Sequence, residues 1–215
     1  MPPLLLATNN PDKAAELASL LSGCGWDIVT PRDAGIDLDD KETGDTYEEN
    51  AGGKALAAAR VSGLVSLADD SGLEIEEMAG EPGVRSARFL SPEASYESRF
   101  AEIERRLAGV PREKRGARFV CLIAVADPRT DQVRTTRGEV FGLIAEGPRG
   151  DNGFGYDPIF WVPQHSATMA ELPAHVKGII SHRARAVAPA RQVLKELLHA
   201  YRGRDASYSP SRPTG

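Results

Sequence analysis

Two long strand-like segments joined by one short turn constrain the fold of this chain more than any other feature. The segments read ARFVCLIAVAD and QVRTTRGEVFGLI, and the turn between them is DPRTD. Runs that are rich in apolar and β-branched residues and bounded by turn residues are typical of paired β-strands. The two segments therefore predict a long β-hairpin.

The rest of the chain alternates between strand-like and helical patterns. The opening LLLAT predicts a buried strand, and Pro11 then marks the start of a helix. Helical spacing also covers TYEENAGGKALAAARVSG, Ser95 to Leu107, and Ser181 to Tyr201. LVSLA is strand-like and leads through DDSG into LEIEEM. We therefore predict an α/β protein with a mixed β-sheet flanked by helices.

Length and composition bound the remaining possibilities. The chain has 215 residues, 41% of them hydrophobic, which suffices for a sizeable core in one large domain or two small lobes. We assign residues 1–202 to that domain and residues 203–215, which lack a hydrophobic pattern, to a disordered tail. No apolar run reaches the roughly 18 residues of a membrane span, and the start lacks the features of a signal peptide. We therefore expect a cytoplasmic protein without a membrane partner.

Charge and cysteine spacing exclude two further classes. The net charge of -5 argues against a nucleic-acid-binding surface, which is normally basic. Cys24 and Cys121 lack the paired spacing of a zinc site or a redox motif. We expect both cysteines to be reduced and buried.

The turn after the first predicted strand, TNNPDK, has the features of a phosphate-binding turn. Backbone amides, the side chains of Asn9 and Asn10, and Lys13 would gather at a helix N-terminus, where the helix dipole favours anions. The same residues also suit an ordinary helix cap with an exposed lysine. The turn lacks the glycines and the Lys-Ser/Thr pair of a Walker loop.

Adjacent carboxylates in ADDSG form a sharper chemical signal. Asp69 and Asp70 stand at the expected end of an apolar strand, where two charges are costly unless a cation or hydrogen-bond donors compensate them. One or two carboxylates together with substrate phosphate are a common magnesium site. The alternative is an acidic turn capped by Ser71 and Gly72. A further carboxylate, Glu42, comes from DLDDKETGDTYEE, a stretch that also suits a solvated loop.

Two later segments could contact a nucleotide. Phe154 and Tyr156 in GFGYD offer flat faces for a base, and Asp157 could accept a hydrogen bond from a ring N–H. Lys177 and the triplet SHR, residues 181–183, gather donors suited to phosphate or to a purine carbonyl. The alternatives are an aromatic loop packed on the core and a capped helix start.

Taken together, these stretches resemble the inosine triphosphate pyrophosphatase family, whose members remove ITP, dITP and XTP. The resemblance covers residues 4 to about 188. Five segments carry it in the family's order and spacing: LLLATNNPDKAAEL, KETGDTYEENAGGKALAAA, ADDSGLEIEEMAGEPGVRSARF, GFGYDPIFWVP and TMAELPAHVKGIISHRARAV. The resemblance implies a two-lobed mixed α/β fold with a long central sheet, an active-site cleft between the lobes, and a homodimer.

The resemblance also implies roles for particular residues. Asp70 would be the catalytic proton acceptor and, with Glu42, a ligand of magnesium. The nucleotide would be contacted by Thr8, Asn9, Asn10, Lys13, Ser71, Phe154, Gly155, Tyr156, Asp157, Lys177, His182 and Arg183. One departure is visible, because Asp12 stands where the family usually has glycine. A carboxylate is unexpected near a triphosphate, although the backbone N–H there could still bind phosphate.

The predicted reaction is magnesium-dependent hydrolysis of dITP, ITP or XTP to monophosphate and pyrophosphate. Asp70, or alternatively Asp69, would take the proton of the attacking water. His182 or Arg183 would donate to the six-position carbonyl of hypoxanthine or xanthine, which adenine lacks. The alternatives are a non-catalytic nucleotide-binding module, a pyrophosphatase for modified pyrimidine nucleotides, and an RNA-binding protein. The intact carboxylates argue against the non-catalytic module, and the GFGYD and SHR segments argue against the pyrimidine enzyme. The negative charge argues against the RNA-binding protein.

Overall fold

A seven-stranded mixed sheet forms the centre of the computed structural model, which describes residues 1–38 and 44–205, the last four by their backbone alone. Its strands are β1 (Pro3–Leu6), β2 (Asp27–Val29), β3 (Val65–Ile75), β4 (Gly116–Asp127), β5 (Gln132–Ile144), β6 (Phe160–Val162) and β7 (Ala167–Thr168). Their order across the sheet is β2-β1-β3-β4-β5-β6-β7. β2 and β3 run parallel to β1, and the later pairs are antiparallel. The predicted mixed sheet and the β4–β5 hairpin are confirmed.

Helices flank this sheet. They are α1 (Pro11–Leu20), α2 (Tyr47–Ser62), α3 (Tyr96–Arg106), α4 (Ala174–Ile180) and α5 (His182–Asp205). The sequence pattern predicted all of them except α4, which has only seven residues. α5 continues three residues into the predicted tail, and residues 206–215 of that tail lie outside the described residues. Across the described ranges, no helix is both long and apolar enough to cross a membrane.

The order of connections around β1 creates a crevice. The chain passes from β1 through α1 to β2, and then through α2 to β3 on the other side of β1. Because side chains alternate along a strand, Leu67 of β3 packs in the core with α1 and α5, whereas Ala68 packs with α2 on the opposite face. Such a reversal of strand order opens a ligand-binding crevice at the carboxyl end of the strand, here β1.

A separate part of the core surrounds β6. There Phe119 and Phe160 pack together, with ring centroids 4.3 Å apart, and Ile103 of α3 joins the same cluster. The buried side chains around β6 thus form a cluster separate from those around β1.

The expectation that the paired carboxylates stand at a strand end is wrong. β3 continues through both of them, because β4 pairs along its length with Asp69 opposite Ile123 and Asp70 opposite Leu122. The element that ends is β1, whose last parallel pair with β3 joins Leu6 to Leu67. The carboxylates therefore lie just beyond the end of β1.

Candidate functional site

A cleft lies at the carboxyl end of β1. Its walls come from the start of α1, β3, residues 86–87, α3, the loop at 153–157 and the α4–α5 junction. The lining residues are Asn10, Lys13, Asp70, Ser71, Gly72, Leu73, Ser86, Ala87, Tyr96, Phe119, Phe154, Gly155, Tyr156, Asp157, Lys177, His182 and Arg183. Most of the predicted site residues therefore share one cleft. Thr8 and Asn9 do not line it, and Glu42 lies outside the described residues.

The polar side chains after β1 build the turn itself. Asn10 caps α1, and its Oδ1 accepts the backbone N–H groups of Asp12 at 2.9 Å and Lys13 at 3.1 Å. Thr8 Oγ1 accepts the backbone N–H of Asn10 at 3.2 Å, and Asn9 Nδ2 donates to a backbone carbonyl at 3.1 Å. In this structure the backbone N–H of Asp12, which could bind phosphate, is used by the helix cap. The Asp12 side chain is exposed.

Asp69 lies on the α1–α5 face of the sheet, in a buried ion cluster. Its Oδ2 contacts Arg183 Nη2 at 3.0 Å and Lys13 Nζ at 3.3 Å, and it accepts the Ser71 hydroxyl at 3.3 Å. Burial alone would raise the pKa of Asp69, but the charges of Lys13 and Arg183 outweigh it and lower that pKa. A carboxylate held ionised in this way is a weak base. The arrangement argues against Asp69 as the proton acceptor.

Asp70 points to the opposite face, toward α2. Its Oδ2 accepts Asn50 Nδ2 at 3.0 Å, and its Oδ1 accepts the backbone N–H of Ser71 at 3.0 Å. One turn after Asn50, Lys54 Nζ donates to the carbonyl oxygen of Asp69 at 2.8 Å. Asn50 and Lys54 were not predicted from the sequence as site residues. The available signal was two polar residues four apart on a helix whose buried positions are mainly alanine.

The loop at 153–157 is fixed by an ion pair. Lys177 Nζ lies 2.6 Å from Asp157 Oδ2, and the same oxygen accepts the backbone N–H of Phe154 at 3.0 Å. Burial raises the pKa of the Asp157 carboxyl, and the adjacent Lys177 ammonium opposes that rise. The ammonium also lies 4.9 Å from the centroid of the Phe154 ring. Asp157 therefore holds Lys177 and the loop backbone in place.

The two aromatic residues of this loop differ in exposure. Tyr156 is 4% exposed, and its ring packs edge-on against Tyr96 with ring centroids 5.3 Å apart. Its hydroxyl donates to the Ser86 carbonyl at 2.9 Å. Phe154 is only half-buried. Between them Gly155 has φ of 66°, a conformation that favours glycine. Phe154 thus offers the more accessible ring, and Tyr156 forms a buried wall.

Arg183 acts as a cation between two carboxylates. Beyond its contacts with Asp69, its Nη1 donates to Glu16 Oε2 at 2.8 Å and its Nη2 donates to Ser71 Oγ at 3.1 Å. Most of its donors are therefore used inside the protein. Glu16 was not predicted from the sequence as a site residue. It stands three residues after Lys13 on the same face of α1, a spacing that brings side chains together.

His182 is buried and neutral. Its ring stacks on Phe119 with centroids 4.7 Å apart, and its Nδ1 has no hydrogen-bond partner among the described residues. Burial, and then the charges of Arg183 and Lys177, lower the pKa of His182 well below its ordinary value.

This depressed pKa predicts an acid-sensitive fold. Below about pH 6.5 the unfolded chain binds a proton at His182 that the folded protein rejects, so stability falls as the pH falls. Through His182, the free energy of unfolding should therefore be lower at pH 5 than at pH 7. Urea unfolding at both pH values would measure the difference, which should be smaller in His182→Phe. The same pH dependence in both proteins would contradict the prediction.

The Asp70 carboxylate is an oxygen ligand of the kind that hard cations prefer. Over residues 1–38 and 44–205, no three His, Cys, Asp or Glu side chains converge as a metal site. Magnesium is usually held by one or two carboxylates, water and substrate phosphate. The Asp70 carboxylate fits an ion of this kind that arrives with a nucleotide.

The fold and the cleft define a mixed α/β protein in which a capped helix start, buried ion pairs and an aromatic loop surround one crevice. The chain belongs to the Ham1 family, whose model matches residues 4–193. It is 43% identical to the dITP/XTP pyrophosphatase of Desulforamulus reducens over 90% of this chain and 96% of that protein. It is 47% identical to the dITP/XTP pyrophosphatase of Symbiobacterium thermophilum over 91% of this chain and 96% of that protein.

Solved structures agree with this assignment. The HAM1 protein from Coxiella burnetii is 39% identical and superposes with a TM-score of 0.82, covering 91% of this chain and 100% of that chain. The dITP/XTP pyrophosphatase from Mycobacterium abscessus is 38% identical and superposes with a TM-score of 0.70, covering 87% of this chain and 98% of that chain. The family resemblance and the fold class predicted from the sequence are confirmed.

Proposed function

We propose that this protein is a nucleoside triphosphate pyrophosphatase that hydrolyses dITP, ITP and XTP to the monophosphate and pyrophosphate, clearing non-standard purine nucleotides from the pool. The observation that carries the proposal is the single cleft that joins Lys13 at a helix start, the Asp70 carboxylate, and the Phe154 loop. Two relatives with 43% and 47% identity, both named dITP/XTP pyrophosphatase, support it.

The residues of the cleft divide the chemistry between them. Cleavage between the α- and β-phosphates depends mainly on positioning and on stabilising developing charge. Lys13 and the start of α1 would hold the phosphates, and Asp70, oriented by two N–H donors, would accept the proton of the attacking water. Magnesium held by Asp70 and Glu42 would supply charge neutralisation at the phosphate oxygens and a lower pKa for water.

Base selection would rest on His182. A buried lone pair without a partner costs less than a buried N–H without one, so the bare Nδ1 favours the tautomer that is protonated at Nε2. Such an Nε2–H can donate to the six-position carbonyl of hypoxanthine or xanthine, whereas the adenine amino group offers another donor. A site built to hydrogen-bond one polar group of a substrate can discriminate against an analogue that lacks that group by several powers of ten in kcat/KM.

The proposal extends to assembly and setting. Residues 1–202 would form one two-lobed domain that acts as a cytoplasmic homodimer with magnesium as its cofactor. The resemblance of the five segments to their family supports these points, and the Asp70 carboxylate in the cleft supports magnesium.

A nucleotide panel tests the proposed function. With magnesium, dITP, ITP and XTP should release pyrophosphate with kcat/KM at least about 100-fold above that for dATP. Release of orthophosphate would contradict the reaction, and binding without turnover would favour the non-catalytic alternative. Preferential turnover of a modified pyrimidine triphosphate in the same panel would favour the related pyrophosphatase.

The phosphate turn gives a matched pair of variants. Lys13→Ala removes a charge-assisted contact worth roughly 1.5–3 kcal/mol, so kcat/KM for dITP should fall at least about tenfold. Asp12→Gly, at the exposed neighbouring position, should change KM by only about threefold, because Asn10 caps the helix through the backbone. Steady-state kinetics at low ionic strength measure both. Full activity in Lys13→Ala would show that phosphate binds elsewhere.

A further inference from the structure

Asn50 connects the proposed catalytic carboxylate to the chain before α2. It is 4% exposed, and its Nδ2 donates to Asp70 Oδ2 at 3.0 Å. On its other side, Oδ1 accepts the backbone N–H of Gly44 at 2.8 Å. Because an N–H can only donate, this second bond fixes which end of the amide is oxygen. The amide nitrogen therefore faces Asp70.

We propose that Asn50 is a positioning residue that fixes the orientation of the Asp70 carboxylate, an inference that rests on the proposed function. The terminal torsion of an aspartate is broad, so burial alone leaves the carboxylate plane loosely defined. Here Asn50 holds Oδ2 and the backbone N–H of Ser71 holds Oδ1. With a donor on each of its oxygens, the plane of the carboxylate is set. Proton transfer from water requires such alignment.

The amide of Asn50 acts from a fixed platform. A Cβ at Gly44 would lie 2.7 Å from the Cβ of Glu49 and 2.8 Å from Asn50 Oδ1, so the chain packs directly on the first turn of α2. A capping box closes that turn, in which Thr46 Oγ1 accepts the Glu49 N–H at 3.1 Å and the Glu49 carboxylate accepts the backbone N–H of Thr46. The same carboxylate accepts the Asp45 N–H at 2.9 Å. Asn50 thus has little freedom to follow Asp70 if that carboxylate rotates.

Two substitutions separate positioning from space filling. Asn50→Asp keeps the size and the acceptor for Gly44, but it replaces the donor with a second carboxylate beside Asp70. Asn50→Ala removes the donor and leaves a small void. If Asn50 only fills space, alanine should harm activity more than aspartate. If it positions Asp70, aspartate should be the more harmful, because the two carboxylates repel each other.

The kinetic test measures pyrophosphate release from dITP. Partners that orient a catalytic or metal-binding carboxylate typically contribute about 10- to 100-fold, so we expect kcat to fall about 10-fold in Asn50→Ala and about 100-fold in Asn50→Asp. KM should stay within about threefold, because the lost interaction acts on the reacting water. Ala58→Gly, two turns along the same buried helix, is the control that destabilises α2 and retains kcat. Either of two results would overturn the inference. One is a kcat for Asn50→Asp within threefold of the wild-type value, and the other is a lower kcat for Asn50→Ala than for Asn50→Asp.

A crystal structure of Asn50→Ala gives a readout that does not depend on turnover. The Asp70 carboxylate should be rotated out of the plane in which Ser71 N–H and Asn50 hold it, with the backbone of β3 unchanged. An unmoved carboxylate would overturn the inference even with normal expression and folding. Asn50→Asp serves the same measurement if the alanine variant does not fold. If wild-type protein releases no pyrophosphate, the proposed function fails, and the crystal structure still tests the role of Asn50.

Discussion

Asp70→Asn should abolish turnover of dITP while leaving the fold intact. The change removes the proposed proton acceptor, and loss of a general base commonly costs about 10²- to 10⁴-fold in rate. It also removes a negative charge from the donors that would hold magnesium, which adds to the loss. The side chain keeps its size, and its remaining carbonyl oxygen can still accept the Ser71 N–H. Its new amide group would face the Asn50 amide, so we expect a modest loss of stability without unfolding. Steady-state kinetics and thermal unfolding together measure the separation between activity and stability.

A matched carboxylate-to-amide change controls this experiment. Asp131→Asn alters an exposed aspartate that pairs with Arg60 and does not line the cleft. That variant should keep the wild-type kcat, because an exposed ion pair contributes little. If Asp70→Asn also retained near-normal activity, Asp70 would have no part in proton transfer.

The local patterns of the sequence determined most of the fold. The β4–β5 hairpin follows from two apolar runs around a short turn, and α1 follows from a cap residue, Asn10, before a proline. Such signals act over a few residues, so they can be read without knowing the tertiary structure. The position of Asp69 and Asp70 within β3 could not be read in this way. It depends on β4, which pairs with them from about fifty residues further along the chain.

The same limit explains which site residues were missed. Asn50 on an alanine-rich helix is indistinguishable in sequence from a solvent-facing amide, until β3 brings Asp70 within 3.0 Å. Arg183, predicted together with His182 as a contact of the substrate base, also pairs with Asp69 and Glu16, which stand more than 100 residues earlier in the chain. Pattern and family resemblance located the cleft. The pairing of charges inside it required the three-dimensional arrangement.

Arg183→Ala should cost about 3–5 kcal/mol in the free energy of unfolding, the usual loss when one partner of a buried ion pair is removed. Arg183 is 1% exposed and lies between Asp69, itself 1% exposed, and Glu16. Without the guanidinium, Asp69 Oδ2 retains the Lys13 ammonium and the Ser71 hydroxyl as its side-chain contacts. Urea unfolding at pH 7 measures the loss. Arg185→Ala, which removes an exposed arginine of the same helix, is the matched control and should change stability by less than about 1 kcal/mol.

The pH dependence of that loss identifies its cause. Asp69 has a lowered pKa in the folded protein, so its ionised form contributes stability above about pH 4, and this contribution is lost as the pH falls through the folded-state pKa. Removing Arg183 raises the pKa of Asp69, because the remaining cation compensates its burial less well. The variant can then protonate Asp69 at a pH where the wild type cannot, and the gap in stability should narrow below about pH 4. A gap that stayed constant with pH would assign the loss to packing around the side chain, since deleted apolar contacts do not titrate.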